Sequence, residues 1–319
     1  MKKSLIALAV LATAGTAFAQ SSVTLSGKLR FAYEATEAET AGVTAKTNGL
    51  RVTDGNFTLT AVEDLGSGLK MTASMDVQSR GRDTAIAGRD ASLTLSGGFG
   101  SVMIGAIEAG NGIIGLGGAG SPGMYGLDGS ATLAAAGNTD ILRYTSPDMS
   151  GFKAYVSLLD ATTAGGMEST AATQDAAQIG VTYAGGPIAA AADYVAWNNN
   201  AAAAASIDNR LRMSGSYDLG MAKLGLGYEV RNYGNNIDHK ELLVGVAAPF
   251  GPVTVGLNYA TRKVDGVAQD ASGWDFGVKY DLSKRTYLAF AYQDVEAGAA
   301  AGVAQDSVKK YRVQLSHAF

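Results

Sequence analysis

The sequence predicts an all-β fold, a transmembrane antiparallel β-barrel of about 16 strands. Three observations support it: an export signal at the N-terminus, no run of 18 apolar residues after it, and an apolar–polar alternation with a period of two residues. A helical span needs about 20 apolar residues. Lipid cannot form hydrogen bonds with the unpaired backbone groups at an open sheet edge. Strands that cross a bilayer must therefore close into a barrel.

The first 19 residues have the three parts of a secretory signal peptide. Met1-Lys2-Lys3 is basic, residues 4–15 are apolar, and Ala17-Phe18-Ala19 is an A-x-A cleavage motif. We expect cleavage after Ala19, so that residues 1–19 are the signal and 20–319 form one barrel domain. An uncleaved anchor helix is the alternative, but the apolar run is shorter than a bilayer helix requires.

Composition narrows the classes of function. The chain has no cysteine, which removes disulfides, thiol catalysis and thiolate-bound metals. It has 25 basic and 29 acidic residues, so a nucleic-acid partner is not expected. With 42 glycines and only 5 prolines, the composition favours closely paired strands over a flexible linker.

The alternation begins directly after the signal and recurs to the end of the chain. Between residues 23 and 33 one face is apolar and the other is polar and basic. The same two-faced pattern returns at 69–78, 210–219, 274–282 and 311–319. Aromatic residues near strand ends are typical of girdles at the lipid–water interfaces: Tyr33, Tyr183, Tyr217, Tyr259, Trp274, Tyr280 and Tyr292. A soluble sandwich with ordinary core aromatics is the alternative.

The connections separate a barrel from a sandwich. Short Gly/Pro-marked turns at 64–68, 97–100, 185–187 and 249–252 alternate with long polar loops at 35–48, 108–139, 160–176 and 198–208. Outer-membrane barrels have short periplasmic turns and long extracellular loops. An even strand number puts both chain ends on the short-turn rim.

Motifs that could carry other chemistry are weak. Gly115-x-Gly117-x-x-Gly120 fits a dinucleotide fingerprint, but that motif needs a strand before it and a helix after it. Only His239 and His317 are present, without a companion set for a metal site or a catalytic triad. The carboxylates of 34–39 could bind Ca²⁺, although a solvated loop is the simpler interpretation. We therefore predict no enzyme, catalytic residue, metal or cofactor.

Charged residues on the polar face of the strands would line the lumen. By strand parity the basic ones are Lys28, Arg30, Lys70, Lys153, Arg210, Arg212, Lys223, Arg231, Lys279 and Arg312. The acidic ones are Asp76, Asp193, Asp218, Glu229, Asp275 and Asp281. An excess of basic side chains favours anions, which predicts a weakly anion-selective lumen. The alternative is that these charges only keep the lumen wet.

Several motifs, in order along nearly the whole chain, resemble the general porins of Gram-negative bacteria, closest to the beta-proteobacterial type. They are the stretches 21–25, 63–70, 89–91, 95–102, 142–152 and 282–286 with the terminal Phe319. Where that family carries arginines in the barrel wall, this sequence has Asn56 and Ala106 and keeps Arg143. The segment 113–129 is unusually rich in glycine.

The resemblance implies an outer-membrane porin, a homotrimer through which small hydrophilic solutes and ions diffuse passively. It implies that the third loop, at about 108–139, folds into the lumen, with Arg143, Glu108 and Asp128 expected at the constriction. Phe319 would be read by the outer-membrane assembly machinery, and the barrel would contact lipid and lipopolysaccharide. A non-conducting barrel that acts as an adhesin or surface antigen is the alternative.

Overall fold

The computed structural model describes residues 21–81, 85–108, 112–121, 138–160, 175–198, 207–234, 236–267, 270–296 and 307–319. These residues form one closed barrel in which each strand lies beside its sequence neighbours and β1 pairs with β16. Every pairing is antiparallel, and the predicted number of strands is confirmed. The predicted signal peptide, with Ala17 and Ala19, lies outside the described residues.

The strands of the first half are β1 (Ser22–Thr40), β2 (Val43–Gly66), β3 (Leu69–Gln78), β4 (Ala87–Gly97), β5 (Gly100–Glu108), β6 (Asn138–Thr145), β7 (Phe152–Asp160) and β8 (Asp175–Gly185). Those of the second half are β9 (Ile188–Asn198), β10 (Ile207–Asp218), β11 (Lys223–Tyr233), β12 (Asp238–Phe250), β13 (Val253–Val264), β14 (Ala271–Asp281), β15 (Thr286–Glu296) and β16 (Ser307–Ala318). A six-residue helix, α1 (Gly112–Gly117), lies between β5 and β6.

Barrel closure leaves no free sheet edge along the seam. β1 pairs with β16 from Lys28 opposite Ala318 to Glu39 opposite Ser307. Beyond this ladder, the backbone N–H of Gly27 donates to the carbonyl of Phe319, and the N–H of Phe319 donates to that of Gly27, both at 3.0 Å. The seam therefore satisfies the backbone groups that lipid could not.

The two faces of the sheet differ as the alternation predicts. Large apolar side chains stay exposed on the outer face because they would meet lipid rather than water, as at Leu25, Ile104 and Leu257. The predicted girdle aromatics have the same outward parity. Near one rim the rings of Phe152 and Tyr183 lie 4.4 Å apart, and near the other those of Trp274 and Tyr292 lie 5.1 Å apart.

The prediction of a long loop at 35–48 is wrong. β1 continues to Thr40, and β2 begins at Val43 after a two-residue turn. Ala41 and Gly42 have φ values of 50° and 76°, the left-handed geometry of a tight hairpin turn. The strands were not recognised in the sequence because both faces of the hairpin's outer end are hydrophilic, so the apolar–polar alternation is absent. A Glu37–Lys46 ion pair at 2.7 Å joins the two strands.

Long connections follow β3, β5, β7, β9 and β15, and the short turns join the opposite ends of the strands. α1 contacts β10, β11 and β12 on their inner face. Among the described residues, no helix is long and apolar enough to cross a membrane.

Candidate functional site: the charged inner wall

The predicted lumen charges share one face of the barrel. Each alternates with outward-facing apolar neighbours, as Lys28 and Arg30 do on either side of the exposed Leu29. The structure gathers half of them into two groups. One lies on β1, β2 and β16, and the other runs from β6 to β13.

In the first group, two carboxylates each meet two basic side chains. Asp54 lies 2.8 Å from Lys28 Nζ and 3.4 Å from an Arg30 guanidinium nitrogen. Glu34 pairs with Arg51 at 2.9 Å and with Arg312 from β16. Each cluster of one carboxylate and two basic side chains therefore has a net charge of about +1.

The second group begins with a similar triad on β9 and β10. Asp193 lies 2.8 Å from Arg212 and 3.5 Å from Arg210, again two cations around one carboxylate. Arg212 also approaches Glu229 at 4.0 Å. These residues sit in adjacent strands, where Arg212 pairs with both Asp193 and Glu229 in register.

The second group continues around the wall to β13. Glu229 pairs with Arg231 at 2.5 Å, Arg231 approaches Glu241 at 3.9 Å, and Glu241 meets Arg262 at 3.0 Å. Glu229 is 0% and Glu241 1% exposed. Because charges buried to this degree are costly unless compensated, the alternation of sign is what allows them to line this wall.

Arg143 joins the same polar chain from β6. Its guanidinium donates to Ser157 at 2.9 Å and to Gln178 at 3.0 Å, and lies 4.7 Å from the centre of the Tyr155 ring. Gln178 in turn donates to Asp193 at 3.0 Å. These direct partners are neutral, so the positive charge of Arg143 is oriented without being cancelled by a contacting carboxylate among the described residues.

Of the predicted constriction residues, Arg143 and Glu108 do not contact each other. Arg143 is in register with Met103, and Glu108 lies five residues further along β5. This offset is about 17 Å along the strand. Glu108 forms its ion pair with Arg89 instead. Asp128 lies outside the described residues.

The remaining predicted charges lie mostly near the short-turn rim. Lys70, Lys153 and Lys223 each stand within two residues of the start of a strand. Lys279 pairs with Asp281 at 2.9 Å. In mid-strand, Asp76 accepts a hydrogen bond from Asn56 at 2.9 Å, and Asp275 accepts one from Asn258 at 2.7 Å.

Sequence reasoning missed at least five inner-wall charges: Glu34, Arg51, Asp54, Glu241 and Arg262. Parity was sufficient to place Glu241 and Arg262, since both lie in predicted strands on the face opposite to the outward Leu242 and Tyr259. Asp54 was hidden by a register shift between Arg30 and Phe31, and Glu34 by the assumed loop. Three of these five side chains are acidic and two are basic, so together they lower the predicted basic excess of the lumen by one charge.

The comparisons with known proteins agree with this architecture. The sequence matches the Gram-negative porin family over residues 4–300. It is 31% identical over 321 residues to outer membrane porin protein 32 of Delftia acidovorans, covering 90% of this chain and 88% of that protein.

Two solved structures share the fold. An anion-selective porin from Comamonas acidovorans superposes with a TM-score of 0.73 at 20% identity, over 94% of this chain and 100% of that chain. OmpT, an outer membrane protein of Vibrio cholerae, superposes with a TM-score of 0.66 at 16% identity, over 94% of this chain and 98% of that chain. With the family match and the charged lumen of a closed barrel, they lead to one conclusion: the chain belongs to the Gram-negative porin family and is a porin of the outer membrane.

Proposed function

We propose that this porin is an open, water-filled channel with a weak preference for anions. The observation that carries the preference is the number of cations around each carboxylate. Asp54, Glu34 and Asp193 each face two basic side chains at contact distance. A wall with more positive than negative charge lowers the energy of a passing anion relative to a cation.

Arg143 would add to this preference. Its contacts with Tyr155, Ser157 and Gln178 hold the guanidinium in place, and none of the three carries a formal negative charge. The compensated chain from Glu229 to Arg262 would contribute little, because its opposite charges lie within 4 Å of one another. The preference should therefore be weak despite the many arginines.

Single-channel recording in a planar bilayer with a KCl gradient tests both parts of the proposal. We expect steady ohmic conductance and a reversal potential of the anion-selective sign. Asp54→Asn and Asp193→Asn should each move the potential further in that direction, because each removes the one acid of a triad. Glu37→Gln is the matched control, since Glu37 is paired in the outer end of the hairpin rather than in the wall.

The outcomes separate the alternatives. A cation-biased potential in the wild type would contradict anion preference while leaving the channel intact. Absence of conductance from a barrel that is folded by circular dichroism and heat-modifiable on electrophoresis would favour an adhesin or structural barrel.

We further propose that the channel is a homotrimer and that residues 1–19 are removed during export. Threefold conductance steps would support the trimer, and an intact mass starting at Gln20 would support cleavage after Ala19. We also propose Phe319 as the contact for the assembly machinery. Its side chain is about half-exposed beside the β1–β16 seam, within reach of a partner.

A further inference from the structure

The inner wall carries an unusual patch without side chains where α1 lies. Gly225 and Gly227 of β11 and Gly245 of β12 all face inward. Their backbones lie outside the left-handed region, so conformation alone does not call for glycine at these positions. In a strand interior, glycine weakens the strand and often marks the close approach of another backbone.

That close approach is present. A Cβ added to Gly227 would lie 2.9 Å from the Cβ of Ile113, and one added to Gly245 would lie 2.6 Å from the Cα of Gly118. One added to Gly117 would lie 2.9 Å from the backbone nitrogen of Gly227. Contacts this short do not occur between real Cβ atoms and their neighbours. The helix can therefore lie this close to the wall only because Gly225, Gly227 and Gly245 on the wall, and Gly117 on the helix, have no side chains.

An apolar anchor accompanies the patch. Ile113 is 0% exposed and packs with Leu243, at 1%, and Ala260, at 5%. Both wall residues face the lumen, where their neighbours along the strands are the charged Glu241 and Arg262. An isoleucine fully removed from water inside a hydrophilic lumen indicates a built contact, since a loop in solvent would not seal an apolar side chain against a polar wall.

We propose that Ile113, seated on Gly227, Leu243 and Ala260, is the positioning residue that holds α1 against β10–β12 and thereby keeps α1 from narrowing the channel. The effect on width rests on the proposed open channel, whereas the position of Ile113 does not.

Cysteine cross-linking tests the position, and the chain offers a cysteine-free background. The double variant Ile113→Cys/Gly227→Cys should form an intramolecular disulfide on mild oxidation of the folded protein. Disulfide Cβ atoms lie about 3.8 Å apart, so the 2.9 Å separation needs only a small adjustment. The control pair, Ile113→Cys/Gly215→Cys, places the second thiol on the outer face of β10 and should not cross-link. Failure of the first pair to cross-link in a heat-modifiable barrel would overturn the seat.

Channel recording tests the width. Gly227→Val should push α1 away from the wall by about 2 Å, and across a helix about 10 Å in diameter this removes about 20 Å² of free cross-section. We expect lower single-channel conductance, and for Ile113→Ser an unsteady current with several levels. Gly215→Val is the control, because the Cβ of residue 215 has only ordinary contacts, the nearest at 3.5 Å.

The position of Ile113 and its effect on channel width can be refuted independently. A cross-link together with wild-type conductance in Gly227→Val would refute the claim about width and keep the seat. A cross-link in a barrel whose wild type does not conduct would overturn the proposed channel instead.

Discussion

Replacing Glu241 by glutamine should destabilise the barrel far more than removing an ordinary surface charge. The carboxylate is 1% exposed and lies 3.0 Å from Arg262 and 3.9 Å from Arg231. Glu241→Gln keeps the shape and one hydrogen-bond acceptor but leaves the Arg262 guanidinium buried without its counter-charge. Removing one partner of a buried pair costs about 3–5 kcal/mol.

We expect the lower end of that range, about 3 kcal/mol or roughly a 100-fold smaller folding equilibrium constant, because the amide oxygen can still accept from Arg262. The measurement is a urea titration of protein folded into lipid vesicles, followed by the fluorescence of Trp197 and Trp274, the two tryptophans of the chain. The double variant Glu241→Gln/Arg262→Gln should recover part of the loss, since it leaves no uncompensated charge.

Glu37→Gln provides the comparison. Glu37 pairs with Lys46 at 2.7 Å, but the two side chains are 46% and 70% exposed. Exposed pairs contribute about 0–1 kcal/mol. If Glu241→Gln and Glu37→Gln lower the free energy of unfolding equally, the inner-wall network does not carry the buried charge described above.

Three further results are expected. Arg143→Gln should lower the anion preference of the reversal potential without unfolding the barrel, whereas an unchanged potential would remove Arg143 from the selectivity argument. Gly27→Val should reduce the yield of heat-modifiable barrel, because a Cβ on residue 27 would lie 2.5 Å from the Phe319 ring; normal assembly would show that the seam tolerates the clash. Trp274→Ala should cost about 1 kcal/mol or more in vesicles through loss of the ring contact with Tyr292, and a neutral effect would argue against an interfacial girdle there.

The fold was predictable from the sequence because its main signal is local. Strand residues alternate between faces with a period of two, so each segment reveals its own lipid-facing and lumen-facing residues without knowledge of its neighbours. Lipid then excludes open sheets, and closure follows. The places where this reasoning failed are those where the local signal is ambiguous. At 35–48 both faces are polar, and near Asp54 a register shift breaks the parity.

The pairing of the charges was decided only by the tertiary structure. Glu34 and Arg312 are separated by 278 positions in the sequence, and no local pattern predicts that barrel closure brings them together. The separation of Glu108 from Arg143 likewise depends on cross-strand register. The contact of Ile113 with Gly227 joins α1 to a strand far along the chain. Glycine is needed at position 227 because α1 approaches the backbone there closely. Alternation determined which face each charge occupies, whereas register and closure determined which charges neutralise one another, because contacts across a barrel wall depend on the placement of the neighbouring strands.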